Sequence, residues 1–150
     1  MVDRGELVDL VGRWWWNYDA GNFDALESML TDDVHFTCRT DTGRAEWEEF
    51  VRADIRGRHA VMEWQIEHRR NSPYPLRHNG TDLHVVEDRG DVASFASYIF
   101  VFHIVQGMPA PLPGGKVTGE ARRDESGLRI SALHVELDTV DSDLFAKVRG

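Results

Sequence analysis

The stretch WWWNYDAGNFDALESML, residues 14–30, decides the fold of this 150-residue chain. Apolar residues lead into it at the spacing of one helical face, and Trp16 points away from that face. Gly21 and Asn22 then end the first helix and cap a second one. The first apolar stripe contains Leu7, Leu10, Val11, Trp14, Trp15 and Tyr18, and the second contains Phe23, Leu26, Met29 and Leu30.

The rest of the pattern predicts one more helix and then strands. The third helix covers residues 47–55, with Asp41 or Thr42 as its cap. The period is two from Met62 to Leu137. The predicted strands are residues 34–38, 62–68, 76–87, 92–105, 117–123 and 128–137. Residues 106–115 contain three prolines and three glycines and predict an unpaired surface loop, and one helical turn is expected around Leu144 and Phe145.

Helices first and hairpin-linked strands afterwards indicate an α+β fold. The length suits one domain, and we expect a single domain over residues 1–150. The economical arrangement is a curved antiparallel sheet that forms a cone, with the N-terminal helices packed on its concave face. Such a cone encloses an apolar pocket.

Charge and cysteine content limit the classes of function. The net charge is −9, and residues 1–33 alone hold eight acidic and two basic residues. This balance argues against nucleic-acid binding, which needs a basic patch. One cysteine excludes an internal disulfide and fits a reducing compartment. With no signal-peptide pattern and no long apolar run, we expect a soluble cytoplasmic protein without membrane contact.

Three residues suggest chemistry, and each has a plainer interpretation. His103 lies in the most apolar strand, where it is equally well a core histidine with satisfied nitrogens. His78 lies in another strand and is alternatively an exposed side chain. Asp19 ends the first helix, where it is alternatively a solvated carboxylate. If Asp19 and His78 meet, the carboxylate fixes the imidazole tautomer and makes the other ring nitrogen a good base.

The sequence gives little support for a metal site, a nucleotide-binding site or a serine-hydrolase site. His78 and His84 share a face if no bulge intervenes, but they are about 20 Å apart by strand rise, too far for one metal ion. No HxH or HxxxH pair occurs, so no metal is expected. The nucleotide-binding glycine motifs and the G-x-S-x-G motif are also missing. No cofactor is therefore predicted.

The order of these residues resembles the SnoaL-like branch of the nuclear transport factor 2 fold, nearest to the scytalone dehydratase-type small lyases. That family has a Tyr–Asp pair, a strand histidine and a second histidine 25 residues later. Here Tyr18-Asp19 is followed by His78 and His103. The family's second tyrosine aligns with Cys38. Its pocket asparagine aligns near Thr118, so Tyr18 alone or Tyr98 is left to polarise a carbonyl.

The resemblance implies a cofactor-independent lyase (dehydratase), isomerase or cyclase acting on a small apolar ring or polyketide-like substrate with a carbonyl. The alternative is a non-catalytic module for ligand binding or dimerisation, and convergence of the polar residues in one pocket separates the two. A homo-oligomer, dimer or trimer, is expected because Trp16 is off the apolar stripe. The predicted catalytic residues are Tyr18, Asp19, His78 and His103, and the predicted substrate-binding residues are Trp15, Phe36, Cys38, Tyr98, Val101 and Thr118.

Overall fold

The computed structural model describes residues 1–149, which form five helices and six strands. None of the helices in this range is long and apolar enough to cross a membrane. The elements in chain order are α1 (Arg4–Ala20), α2 (Phe23–Ser28), β1 (Leu30–Thr40), α3 (Glu48–Val51), β2 (Ala53–Arg56), α4 (Arg58–Arg70), β3 (Leu76–Asp88), β4 (Val92–Val105), β5 (Met108–Asp124), β6 (Gly127–Leu137) and α5 (Phe145–Arg149).

The six strands form one curved, open sheet in the order β2-β1-β6-β5-β4-β3. The α+β prediction is confirmed, and the sheet is antiparallel except for the β1–β6 pair, which is parallel. The N-terminal helix α1 packs against β3 and β6, and α4 packs against β1. The core therefore lies between these helices and one face of the sheet.

Helix α1 begins after Asp3 and ends at Gly21, where the sequence predicts its end. The Asp3 carboxylate accepts a hydrogen bond from the Glu6 amide at 2.9 Å, which caps the N-terminus. Gly21 adopts the left-handed conformation (φ 70°) that ends the helix. The helix buries the whole predicted stripe together with Asp19, while Trp16 is 77% exposed. Asp19 therefore faces the interior rather than solvent.

The predicted strand at residues 62–68 is wrong, because this segment lies in α4. The buried residues of α4 are Val61, Met62, Gln65 and Arg69, which share one helical face. Two of the four are polar, so the helical stripe is hidden in the hydrophobic pattern. Over only seven residues the remaining apolar positions fit a period of two equally well.

The predicted third helix is also shorter than expected. Only Glu48–Val51 is helical, Trp47 takes the cap position, and residues 53–56 form β2. The Asp41 carboxylate instead accepts hydrogen bonds from Thr139. Strand β2 pairs with β1, with Ile55 opposite Phe36, and lies at the edge of the sheet.

The predicted loop at residues 106–115 is wrong as well, since β5 begins at Met108 and pairs with β4 from its first residue. Pro109 and Pro111 are two residues apart, so their nitrogens face the same side of the strand. The regular ladder with β4 from Met108 to Leu112 requires that this is the side away from β4, and the register shifts only after Leu112. Strand β6 ends at Leu137 opposite Gly115, so the prolines lie on a free edge.

A β-bulge in β3 changes which face its histidines occupy. The pairing with β4 shifts between Thr81 and His84, and Asp82 has a φ of 56°. His78 lies before the bulge and is partly buried, whereas His84 follows it and is exposed. The two histidines therefore do not share a face.

Gly119 tests the packing of the sheet. A Cβ at this position would lie 2.6 Å from the Ala132 carbonyl oxygen and closer still to the Phe95 ring. We expect Gly119→Ala to lower the free energy of unfolding by about 1–3 kcal/mol, because the buried ring has to move. The control is Gly12→Ala, at an exposed position of α1 where an added Cβ has no atom within 4 Å. It should raise the free energy of unfolding by about 0.5–1 kcal/mol. Urea denaturation of both variants measures the difference, and equal stabilities would contradict this packing.

Candidate active site

A cavity of about 300 Å³ lies between α1, α3, α4 and the concave face of the sheet. Its wall is mainly aromatic and aliphatic, and this volume is at the lower end of the range for ligand pockets. Four of the predicted substrate-binding residues line it: Trp15, Phe36, Cys38 and Val101. The few polar side chains in the wall are therefore conspicuous.

Asp19 and His78 meet in this wall. The His78 Nδ1 lies 2.6 Å from Asp19 Oδ1, and the His78 backbone N–H donates to Asp19 Oδ2 at 2.7 Å. Their side chains are only 9% and 13% exposed. Trp15 stacks on the His78 ring with centroids 4.7 Å apart and planes 7° apart. The carboxylate therefore holds the hydrogen on Nδ1 and leaves Nε2 as a bare acceptor.

A second polar pair lies beside the first. The Tyr18 hydroxyl is 2.5 Å from His68 Nδ1, and the Tyr18 ring meets the His78 ring edge-on at a centroid distance of 5.3 Å. Burial raises the pKa of Tyr18, so the phenol keeps its hydrogen. Burial, with His78 and Arg69 nearby, lowers the pKa of His68 to about 4. Both members of the Tyr18–His68 pair are therefore neutral near pH 7.

Two aromatic rings fix the orientation of His68. Its ring stacks on Trp64, one turn earlier in α4, with centroids 4.5 Å apart and planes 11° apart. Phe50 of α3 stacks on it at the same centroid distance and 29°. Sequence reasoning missed His68 because it placed this segment in a strand. The available signal was the helical spacing of Trp64, Gln65 and His68, all three of which line the cavity.

The buried guanidinium of Arg69 holds the end of α1 in place. Its Nε donates to the carbonyl of Tyr18 at 3.1 Å, and its Nη2 donates to that of Asp19 at 2.8 Å. Its Nη1 reaches the carbonyl of Pro73 at 2.9 Å. These carbonyls belong to the negative end of the α1 dipole and to the turn before β3. One side chain thus fixes the two residues that supply the polar groups of the site.

Three predicted site residues lie outside the cavity wall. Tyr98 is 55% exposed on the outer face, and Thr118 is exposed beside His134. Both have even numbers, whereas the buried neighbours Ile99 and Val117 point inward, so the period of two excludes them. His103 lies on β4 opposite Leu76, two residues beyond Val101, the last β4 residue that lines the cavity. Its side chain makes no hydrogen bond within residues 1–149.

Cys38 lies where the resemblance places a tyrosine. It is buried in the wall, and burial raises the pKa of its thiol to about 12. The thiol is therefore protonated near neutral pH and acts as a small apolar surface rather than as a nucleophile.

His35 and His134 lie on the outer face of the sheet, and His59 lies on α4. His35 bonds Asp54 at 2.7 Å, and His134 bonds Thr37 at the same distance. No group of three metal-ligating side chains comes together within the described residues 1–149.

A comparison with protein families matches residues 1–134 to a family described as the SnoaL-like domain. The chain belongs to this SnoaL-like family. No curated protein sequence matches it significantly.

Solved structures share the fold at low sequence identity. A protein from Novosphingobium aromaticivorans, described as NTF2-like with a cystatin-like fold, is 22% identical, with a TM-score of 0.72 over 97% of this chain and 87% of that one. ActVI-ORFA from Streptomyces coelicolor is 18% identical, with a TM-score of 0.72 over 91% and 98%. A second N. aromaticivorans protein, provisionally described as a scytalone dehydratase, is 9% identical, with a TM-score of 0.70 over 92% and 86%.

Arg69 provides a test of how the site is held. We expect Arg69→Met to lower the free energy of unfolding by about 2–4 kcal/mol, because the buried carbonyls lose their donor. The matched control is Arg70→Met, which changes an exposed neighbour and should stay within about 0.5 kcal/mol of the wild type. Thermal and urea unfolding of the two variants provide the comparison. An Arg69→Met protein as stable as Arg70→Met would contradict the assigned role.

The low pKa of His68 predicts an acid-labile fold. The unfolded chain binds a proton at the usual histidine pKa of 6.5, whereas the folded chain binds it only near pH 4. Between these values unfolding takes up a proton. The free energy of unfolding therefore decreases by about 1.4 kcal/mol for each unit by which the pH is lowered, about 3 kcal/mol in total. His68→Phe keeps the stacking and removes this titration. Its stability should therefore fall less between pH 7 and pH 4, and parallel pH profiles would contradict the prediction.

Proposed function

We propose that the chain is a cofactor-independent acid–base enzyme acting on a small apolar molecule that carries a carbonyl group. The reaction is a dehydration by a lyase, or an isomerisation or cyclisation, of a ring compound or polyketide-like substrate. The observation that carries the proposal is the buried Asp19–His78 pair, 2.6 Å apart, in the wall of an apolar cavity.

His78 is the proposed base. Its Nδ1 is engaged by Asp19, and its Nε2 makes no hydrogen bond to the protein within residues 1–149. Nε2 would remove a proton from the carbon next to the carbonyl, and the Asp19 carboxylate would stabilise the imidazolium that forms. In a dehydration the C–H bond breaks, a C=C bond forms, and the neighbouring hydroxyl leaves as water after it receives the proton that His78 removed.

Tyr18 is the proposed donor to the carbonyl oxygen. Its ring is in edge-on contact with the His78 ring, and both line the cavity, so a substrate there would meet a base and a phenol beside each other. Its raised pKa suits a group that donates a hydrogen bond without losing its proton. Because His103 lies past the wall of the cavity, the proposal gives the polarising role to Tyr18 without it.

The family and the structural neighbours are consistent with this chemistry. The SnoaL-like family includes polyketide cyclases and dehydratases, and one neighbour is provisionally described as a scytalone dehydratase. At 9–22% identity the neighbours bear on the fold alone. The choice among dehydration, isomerisation and cyclisation is therefore left to experiment.

The proposal also includes a cytoplasmic homo-oligomer, a dimer or a trimer. Its support is Trp16, a large apolar side chain that is 77% exposed on α1.

Proton exchange tests the base without knowledge of the natural substrate. The probe is 2-tetralone in D₂O, with deuterium incorporation next to its carbonyl followed by proton NMR. The wild type should accelerate exchange over buffer. His78→Ala and Asp19→Asn should each lose about 10²–10⁴-fold of that acceleration, because base strength and tautomer are lost.

His84→Ala is the matched control, since it removes an exposed histidine from the same strand. It should leave the exchange rate unchanged, and the melting temperatures of the two site variants should stay within a few degrees of the wild type. An unchanged exchange rate in His78→Ala would contradict the assignment of His78 as the base. Binding of 2-tetralone with no exchange in the wild type would instead favour a ligand-binding module.

A further inference from the structure

His68 is a buried polar group for which the proposed reaction has no use. It belongs to α4, outside the Asp19–His78 pair, and its only side-chain hydrogen bond within residues 1–149 joins Nδ1 to the Tyr18 hydroxyl. Its other ring nitrogen, Nε2, is buried and has no partner in the same range. The ring stacks on both Trp64 and Phe50, so turning it out of its plane would break both stacks.

A neutral ring carries one hydrogen, and its position decides what Tyr18 can do. If the hydrogen is on Nε2, this buried N–H has no acceptor, and the Tyr18 hydroxyl donates its own hydrogen to Nδ1. If the hydrogen is on Nδ1, it is donated to the Tyr18 oxygen. Nε2 is then a bare nitrogen among aromatic rings. The phenol hydrogen can turn away from His68, toward the Ser72 hydroxyl in the cavity wall or toward a ligand in the cavity.

The second arrangement leaves fewer donors without partners. Buried N–H groups without an acceptor are rare in proteins, and unpaired acceptors are tolerated more often. The freed phenol hydrogen faces a cavity that a polar ligand atom can enter, because Tyr18 is itself a wall residue. Every strong donor of the Tyr18–His68 pair then has an acceptor once the cavity is occupied.

We propose that His68 is a positioning residue that donates from Nδ1 to the Tyr18 oxygen and so directs the Tyr18 hydroxyl into the cavity. The inference rests on the proposed function in one respect, namely that the cavity receives the reacting molecule. It deepens that function by defining the ligand atom at this point. The ligand presents a hydrogen-bond acceptor, such as a ketone or quinone oxygen, to Tyr18, and a ligand with only a donor there is disfavoured.

The hydrogen position can be read directly by NMR of the full chain with ¹⁵N-labelled histidine. Long-range proton–nitrogen correlation at pH 7 distinguishes a nitrogen that carries a hydrogen from one that does not. The His68 signals are identified by their loss in His68→Asn. We expect a protonated Nδ1 and a bare Nε2. A bare Nδ1 with a protonated Nε2, or a doubly protonated ring, would overturn the inference.

Tyr18→Phe tests whether Tyr18 sets this tautomer. The substitution keeps the ring and removes the oxygen that accepts from Nδ1, so the hydrogen should shift toward Nε2. The control is Tyr98→Phe, which removes an exposed hydroxyl on the outer face and should leave the His68 signals unchanged. A protonated Nδ1 that persists in Tyr18→Phe would show that Tyr18 is not its acceptor and overturn the coupling.

These measurements need no substrate and no turnover. A wild-type protein that fails to exchange 2-tetralone but has the expected His68 tautomer would contradict the proposed enzyme and leave the positioning role standing. Normal exchange with the opposite tautomer would contradict the positioning role alone.

Discussion

The site depends on one buried cation, the guanidinium of Arg69, which faces backbone carbonyls instead of a carboxylate. A charge taken out of water needs full compensation, and here the carbonyls of Tyr18, Asp19 and Pro73 supply it. The guanidinium also lies 5.9 Å from the Tyr18 ring centre. Because one planar group bonds to three carbonyls, α4, the last turn of α1 and the approach to β3 are fixed relative to one another.

This arrangement explains how two neighbouring residues serve two different partners. Consecutive helical residues point about 100° apart, so Tyr18 and Asp19 reach separate histidines from one helix end. Asp19 turns to His78 on β3 and Tyr18 to His68 on α4. The cavity thus has one pair that contains a carboxylate and a second pair, Tyr18–His68, that is neutral near pH 7. Their separation follows from helix geometry alone.

The sequence predicts the parts of the fold where burial and hydrophobicity coincide. Helix α1 and strand β4 follow the pattern because mainly apolar residues fill their inner faces. The end of α1 follows it because Gly21 adopts the left-handed conformation. The pattern fails for α4, where Gln65 and Arg69 occupy buried positions. Arg69 is held inward by its hydrogen bonds to backbone carbonyls, and a hydrophobic period cannot detect such a bond.

The site residues also divide into those that the sequence predicts and those that it misses. Asp19 and His78 could be anticipated from the family resemblance, which has a Tyr–Asp pair and a strand histidine. His68 was missed, because its place depends on α4 and the hydrophobic pattern there fits a strand equally well. The bulge at Asp82 separates His84 from His78, and no residue count along the strand predicts it. A one-residue change in register is enough to move a side chain to the opposite face.

The prolines at the start of β5 have a consequence for the protein in concentrated solution. The free edge of a sheet presents N–H and C=O groups that another chain can use to extend the sheet. At Pro109 and Pro111 that edge has no N–H groups to offer. A second strand would find carbonyl acceptors there and no donors. These two prolines thus protect this part of the sheet against edge-to-edge aggregation, while the ladder with β4 continues through them.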